Sequence, residues 1–102
     1  MNIIDVTKEN FKKEVIDSKV PVLVDFNASW CGPCRMLKPV LEEVAKMSED
    51  YKIVSVDVDS ESELASEYNI NSIPCLIVFK DGMLKDKSVG LISKNDVIEL
   101  LK

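Results

Sequence analysis

The run VPVLVDFNA at residues 20–28 constrains the fold more than any other stretch of the chain. It is almost entirely apolar and rich in β-branched side chains, with a single carboxylate, Asp25, near its middle. Strands that are covered by helices on both faces have this composition, because they lack a solvent-facing side that would carry polar residues. The run therefore predicts a central strand in a sheet that is buried on both faces.

Strand-like and helix-like patterns alternate along the rest of the chain. Short β-branched runs indicate strands, whereas apolar residues that recur every three to four positions indicate helices. The predicted strands cover 2–6, 20–28, 51–59, 75–80 and a last segment ending at Val89, with a hairpin turn at Asp81 and Gly82. The predicted helices cover 8–17 with Thr7 as N-cap, 32–48, a segment from the S-x-x-E capping box at Ser60 to Tyr68, and a final helix capped by Ser93.

The element order βαβαβαββα predicts an α/β fold with a single mixed β-sheet. Strands that are joined through a helix pair in parallel, and the hairpin adds two antiparallel strands at one side. Helices are expected on both faces of this sheet. A chain of 102 residues has the usual size of one domain, so residues 1–102 are predicted to form a single domain.

The charge balance and the start of the chain argue against several function classes. Asp and Glu outnumber Lys and Arg by 18 to 13, a net charge of −5, and no basic cluster is present to neutralise nucleic-acid phosphates or an anionic membrane. Asp5 and Glu9 make the first residues unlike a signal peptide, and no apolar run approaches the ~20 residues of a membrane helix. We expect a cytoplasmic protein with no nucleic-acid or membrane partner.

The segment ASWCGPCRML at residues 28–37 places Cys31 and Cys34 three positions apart. Such a pair is a structural disulfide, part of a metal site or a redox-active couple. Thiols are kept reduced in the cytosol, which argues against the structural disulfide. Cys75 brings the thiols to three, but the chain has no histidine and tetrahedral zinc requires four ligands. Redox chemistry is the favoured hypothesis, with no metal or cofactor expected and a metal site as the alternative.

The predicted position of the pair at the start of a helix favours reactivity. Cys31 ends the loop after a buried strand and Cys34 lies in the first helical turn, at the sheet edge where open α/β sheets bind ligands. Pro33 is tolerated in that turn, and Gly32 permits a tight approach of another chain. The free N–H groups and the dipole of the helix N-terminus lower the pKa of Cys31. We expect an accessible Cys31 as the attacking thiol, with Cys34 behind it as the resolving thiol.

The motif W-C-G-P-C between a strand and a helix, with Ile73 and Pro74 before a later strand, resembles the thioredoxin family over residues 2–102. The resemblance implies a thioredoxin fold and a thiol–disulfide oxidoreductase that acts as a general protein-disulfide reductase. Cys31 then attacks a substrate disulfide, and Cys34 resolves the mixed disulfide and is left bonded to Cys31. The implied partners are a thioredoxin reductase as electron donor and disulfide-containing substrate proteins, and the expected state is a monomer.

Asp25 matches the family's buried aspartate, which is implied to help deprotonate Cys34. The residues themselves support this role, because burial in an apolar strand raises the pKa of a carboxyl group and makes it a usable proton acceptor. The alternative is a structural aspartate that is hydrogen-bonded to the backbone, since a buried carboxylate without a partner is costly.

The resemblance also implies a flat apolar docking surface around the cysteines. Pro74 matches the family's cis-proline, and a cis bond there turns the Ile73 backbone toward a docked peptide for a short β-like pairing. For Val89 and Leu91, ordinary core packing is equally compatible with the sequence. The implied docking residues are Trp30, Gly32, Pro33, Ile73, Pro74, Val89, Gly90 and Leu91.

Three positions depart from the family pattern. Asn27 stands in place of a common tryptophan, Ser55 in place of a lysine that many members have near the buried aspartate, and Cys75 in place of the usual threonine after the proline. Cys75 is interpreted as a buried, inert thiol, with a third redox thiol as the alternative. Two other functions fit the same scaffold: an adaptor that only binds partners, and an oxidase or isomerase of disulfides outside the cytoplasm.

Overall fold

The computed structural model describes residues 2–102 and contains one mixed five-stranded sheet. Its strands are β1 (Ile4–Asp5), β2 (Val22–Asn27), β3 (Lys52–Asp57), β4 (Cys75–Lys80) and β5 (Met83–Val89). The helical segments are a single turn of π-helix (Lys12–Ile16), α1 (Gly32–Ala45), α2 (Ser62–Glu67) and α3 (Lys94–Leu100). This succession confirms the predicted order βαβαβαββα.

The strand β2 lies at the centre of the sheet, whose order is β1-β3-β2-β4-β5. It pairs in parallel with β3 and antiparallel with β4, and β1 pairs in parallel with the far side of β3. The hairpin between β4 and β5 turns at Asp81 and Gly82, which have positive φ angles of 53° and 78°. Two such residues suit the tight turn that matches the twist of a hairpin. The mixed sheet with its antiparallel side is therefore as predicted.

Alternate residues of β2 point to opposite faces of the sheet, and each face is covered by helices. Val24 and Phe26 join one buried cluster, the π-helix layer, with Phe11 and Val15. Leu23 joins the other, the α1 layer. This second layer contains the buried residues Leu23, Leu37, Leu41, Val44, Ala45, Ile53, Leu76, Val78 and Val97. The apolar composition of residues 20–28 thus reflects burial on both faces.

Two predicted helix starts are wrong, in each case because a different hydrogen bond takes precedence. The Thr7 hydroxyl does not cap a helix: the Asn10 side chain accepts the Thr7 N–H at 2.7 Å, so residues 8–10 form a turn and the helix begins later. Ser60 does not form a capping box, because the Glu63 carboxylate that such a box requires is paired with the Lys8 Nζ at 3.1 Å and α2 begins at Ser62. The Ser93 cap is confirmed, since its Oγ accepts the Asp96 N–H at 3.1 Å.

Candidate active site

The loop after β2 leads into α1, and the two cysteines lie at the start of this helix. Cys31 is the N-cap of α1 and has extended backbone angles, and Pro33 occupies the first turn. The Cys34 N–H donates to the Cys31 Sγ at 3.2 Å, and the Arg35 N–H donates to the Cys31 carbonyl at 3.2 Å. The free N–H groups of a helix start favour negative charge on a nearby atom. The Cys31 sulfur therefore occupies the position where the helix stabilises an anion.

Cys31 and Cys34 are joined by a disulfide, with their Cα atoms 5.2 Å apart. The expectation of an accessible Cys31 in front of a covered Cys34 is wrong for this oxidised form, since both residues are only 5% exposed. The reason is that the two sulfurs cover one another, while Ala28, Val58 and Ile73 pack around them. Exposure therefore does not distinguish the two thiols, whereas the hydrogen bond to the Cys31 Sγ does.

Asp25 is the buried charged residue of the core, with 6% of its surface exposed. Burial raises the pKa of its carboxyl group from 3.8 to about 7, and a hydrogen bond from Asn27 opposes this rise. Within residues 2–102, its Oδ1 has no hydrogen-bond partner and no backbone N–H donates to the carboxylate. The alternative of a structural aspartate held by the backbone is therefore not supported, and Asp25 has the properties of a proton acceptor near neutral pH.

Asn27 and Ser55, the two positions that depart from the family pattern beside the aspartate, lie next to Asp25 and to each other. Asp25 and Ser55 are cross-strand partners in β2 and β3. The Asn27 amide donates to the Ser55 Oγ at 2.7 Å and to the Asp25 Oδ2 at 3.3 Å. The residue types were visible in the sequence, but nothing in their spacing indicated that they form one hydrogen-bonded group.

A crevice of about 780 Å³ leads to the rear of the cysteine pair. Asp25, Asn27 and Ser55 line it on the sheet side, and Cys34 and Lys38 line it on the α1 side. Cys34, the candidate resolving thiol, and the Asp25 carboxylate therefore line the same crevice. Cys31, Ile73 and Pro74 do not line this crevice.

The segment before β4 closes the front of the site. The Ile73–Pro74 peptide bond is cis, as expected from the resemblance. The carbonyl oxygen of Ile73 lies 3.9 Å from the Cys31 Sγ. The Gly90 N–H donates to the Pro74 carbonyl at 2.8 Å, which attaches the segment after β5 to the same edge. Segments that are far apart in sequence thus meet at the cysteine pair.

Large apolar side chains around this edge are exposed. Trp30 is 67% exposed, Val89 55% and Leu91 44%, so Val89 and Leu91 are not core residues. Sequence reasoning missed Asp59, whose Oδ2 accepts the Trp30 indole N–H at 2.8 Å and holds the ring in place. The one available signal was its position just beyond the carboxyl end of a central strand, where α/β sheets place their ligand-binding residues.

Cys75 follows Pro74, but it is buried in the π-helix layer, on the other side of the sheet from α1, and is 1% exposed. Burial raises the pKa of its thiol above the ordinary value. Both properties favour the interpretation of Cys75 as an inert core residue. Across residues 2–102, no group of three or more His, Cys, Asp or Glu side chains is arranged to bind one metal ion.

Comparison with known proteins agrees with this geometry. The family model described as Thioredoxin matches residues 2–102. The chain belongs to the thioredoxin family. It is 49% identical over 89 residues to a thioredoxin of Mycoplasmoides gallisepticum, covering 87% of this chain and 89% of the relative. It is 48% identical over 97 residues to thioredoxin 1 of Synechococcus elongatus, covering 94% and 91%.

The thioredoxin fold is equally clear in the solved structures. A mutant thioredoxin from Halobacterium salinarum NRC-1 superposes with a TM-score of 0.90 at 35% identity, covering 98% of this chain and 88% of that one. With the Cys31–Cys34 pair at disulfide distance, the protein is a thiol–disulfide oxidoreductase of this family. In the described part of the chain, no helix combines the length and apolarity needed to cross a membrane.

Proposed function

We propose that the protein is a general protein-disulfide reductase in which Cys31 is the nucleophile and Cys34 the resolving thiol. The observation that carries the proposal is the hydrogen bond from the Cys34 N–H to the Cys31 Sγ at the start of α1. It favours negative charge on sulfur 31 over sulfur 34. The thiolate is the form of a cysteine that attacks a disulfide, so this asymmetry supports Cys31 as the thiol of the first attack.

The reaction proceeds by two thiol–disulfide exchanges. The Cys31 thiolate attacks one substrate sulfur; the substrate S–S bond breaks, and the first substrate thiolate leaves and takes a proton from water. Cys34 transfers its proton to Asp25 and attacks the Cys31 sulfur of the mixed disulfide. The second substrate thiolate leaves as the Cys31–Cys34 bond forms. Two electrons have then moved from the cysteine pair to the substrate.

Asp25 acts in the second exchange as the base for Cys34. Its pKa of about 7 suits this role, because a base is most effective when its pKa lies near the working pH. The unpartnered Oδ1 is the atom free to accept the proton. The crevice that Asp25 shares with Cys34 lets the proton pass to solvent afterwards.

Substrate proteins dock on the exposed apolar edge around the cysteine pair. The exposed side chains of Trp30, Val89 and Leu91 supply the contact area, beside Gly32 and Pro33. The backbone of Ile73 pairs with an extended substrate segment beside Pro74, as in other modes of β-strand addition. This arrangement recognises backbone and apolar surface rather than one side-chain sequence, which suits a reductase with many substrates.

We further propose the setting in which this reaction runs. A thioredoxin reductase returns two electrons to the Cys31–Cys34 disulfide, and the protein works in the cytoplasm as a monomer. Residues 1–102 act as one domain, without nucleic-acid or membrane partners. The support is the family membership and the net charge of −5.

Insulin-disulfide reduction with dithiothreitol tests the proposal. We expect wild type and C75A to reduce insulin at similar rates, and C31S and C34S to be inactive. Incubated with insulin after the dithiothreitol is removed, C34S should also accumulate a mixed disulfide through Cys31, because it keeps the attacking thiol and lacks the resolving one. C31S lacks the attacking thiol and should form none. Trapping through Cys34 instead of Cys31, or full activity of C31S, would overturn the assignment.

A further inference from the structure

The amide of Asn27 is shared between two side chains of the active site. Its Nδ2 lies 2.7 Å from the Ser55 Oγ, 2.9 Å from the Asp25 carbonyl oxygen and 3.3 Å from the Asp25 Oδ2. An amide nitrogen carries two hydrogens, so three acceptors compete for two donors. The shortest contact is made to the Ser55 hydroxyl and the longest to the carboxylate. Ser55 and the Asp25 carbonyl therefore compete with the carboxylate for the two hydrogens.

The sheet places these three side chains on one face. Asp25 and Asn27 are two residues apart in β2 and so point to the same side, and Ser55 pairs with Asp25 in the parallel register with β3. Leu23 and Ile53, two residues earlier in the same strands, belong to the α1 layer. The group therefore faces α1 and the cysteine pair.

The two carboxylate oxygens of Asp25 are not equivalent. Oδ2 accepts the Asn27 hydrogen bond, whereas Oδ1 is buried without a partner among the described residues. Asp25 and Cys34 line the same crevice. A bond that occupies Oδ2 leaves Oδ1 as the oxygen that can take a proton.

We propose that Asn27 is a positioning residue that holds the Asp25 carboxylate through Oδ2, and that Ser55 limits this hold by competing for the same amide. The inference rests on the proposed proton transfer from Cys34 to Asp25. It gives the two departures from the family pattern complementary roles, since Asn27 favours the ionised carboxylate and Ser55 moderates that preference. In the described part of the chain, neither side chain is hydrogen-bonded to Cys31 or Cys34.

The effect of Asn27 and Ser55 on Asp25 can be measured as a change in the pKa of its carboxyl group. Burial raises the pKa of Asp25 and the Asn27 hydrogen bond lowers it. Cys34 shares the crevice, and Cys75 lies in the neighbouring strand β4. The other ionisable side chains along the crevice are Asp5, Arg35, Lys38, Glu42, Lys46, Asp57 and Glu61. Substitutions at positions 27 and 55 leave all of these charges in place.

A carboxyl-carbon NMR titration of Asp25 in the oxidised protein tests the proposal. In that form the Cys31–Cys34 pair does not titrate, and D25N identifies the resonance. N27A should raise the pKa of Asp25 by about 0.5 or more, because the hydrogen bond to the ionised form is lost. S55A should lower the same pKa, because the amide hydrogens then go to Asp25 alone.

Two variants serve as matched controls. S55T keeps the hydroxyl and suits a strand, so it should titrate like wild type. N95A removes an exposed asparagine in α3 and should also leave the pKa of Asp25 unchanged. If N27A does not fold, the comparison of S55A with S55T decides the question on its own.

A second readout separates positioning from a purely structural role. The pH at which the rate of insulin reduction is half its maximum should rise in N27A and fall in S55A. Each change should follow the change in the pKa of Asp25 that NMR measures. NMR shifts of the same sign, or no NMR shift, would overturn the inference. An NMR shift without a change in the pH dependence of activity would instead overturn the proton transfer to Asp25 on which the inference rests. Failure of the proposed function is recognised separately, because wild type would then reduce no insulin at any pH.

Discussion

Asp25 is buried, and burial disfavours the negative charge that its carboxyl group carries above neutral pH. Its folded-state pKa of about 7 lies above the ordinary value of 3.8 because burial disfavours the ionised form. Between these two values the unfolded chain has lost the proton while the folded chain retains it. Raising the pH across this window therefore lowers the free energy of unfolding. The buried carboxyl group thus has a cost in stability above neutral pH.

Replacing Asp25 by asparagine should remove this pH dependence. We expect the stability of D25N relative to wild type to increase by about 4 kcal/mol between pH 4 and pH 8, the linkage value for a pKa change from 3.8 to about 7. Urea unfolding at a series of pH values measures it. D50N, at an exposed aspartate, is the control and should show little change with pH. An advantage of D25N that is constant across this range would contradict the prediction.

At the scale of elements, α1 and α3 each begin with one side-chain capping hydrogen bond, whereas α2 begins without one. The Ser93 Oγ caps α3 through the Asp96 N–H. The Cys31 Sγ occupies the equivalent place in α1, so a reactive atom replaces a capping oxygen. Among residues 2–102, the Ser60 hydroxyl makes one hydrogen bond, to the Asp57 carbonyl at 3.4 Å. The same residue type therefore contributes differently at two helix starts.

Alanine substitution should distinguish these two serines. S93A should lower the free energy of unfolding by about 1 kcal/mol, the usual loss for an N-cap hydroxyl. S60A should lower it by less than about 0.5 kcal/mol, because an exposed turn residue with one long hydrogen bond contributes little. Chemical denaturation of both variants measures the difference. Equal losses would show that Ser60 caps α2 after all.

At the scale of the whole molecule, the sheet separates two buried layers that share no side chains. Ile77 lies in the π-helix layer, whereas its neighbour in β4, Leu76, lies in the α1 layer. Each layer is closed by its own helical segments. Because side chains pack only against atoms they touch, a change in one layer is felt in the other only through the backbone of the sheet.

The two layers should therefore respond independently to mutation. L37A should lower the free energy of unfolding by about 2–5 kcal/mol and I77V by about 1 kcal/mol, and the double variant should show their sum within about 0.5 kcal/mol. L37A with I53V, both in the α1 layer, is the matched comparison in which coupling is expected. A deviation from additivity in L37A with I77V as large as in the same-layer pair would contradict the separation.

Much of the fold could be predicted because its determinants are local in the chain. Residues 20–28 are apolar on both alternating sets of positions, and this pattern is typical of a strand covered on both faces. The helix starts at Ser93 and after Cys31 were also predictable from nearby residues. Thr7 and Ser60 were not, because the outcome there depended on competing partners such as the Asn10 side chain.

The sequence by itself determined the chemistry that this protein has available: a thiol pair at the start of a helix and a carboxylate within an apolar strand. Tertiary structure alone decided how those groups are presented. The Ile73 carbonyl lies beside the Cys31 sulfur although the two residues are 42 positions apart in the sequence. Ser55 is hydrogen-bonded to Asn27 although these two are 28 positions apart. The reason is physical: helix and strand propensities depend on neighbours within a turn or two, whereas burial, hydrogen bonding and the pKa of Asp25 depend on distant segments packed around the site.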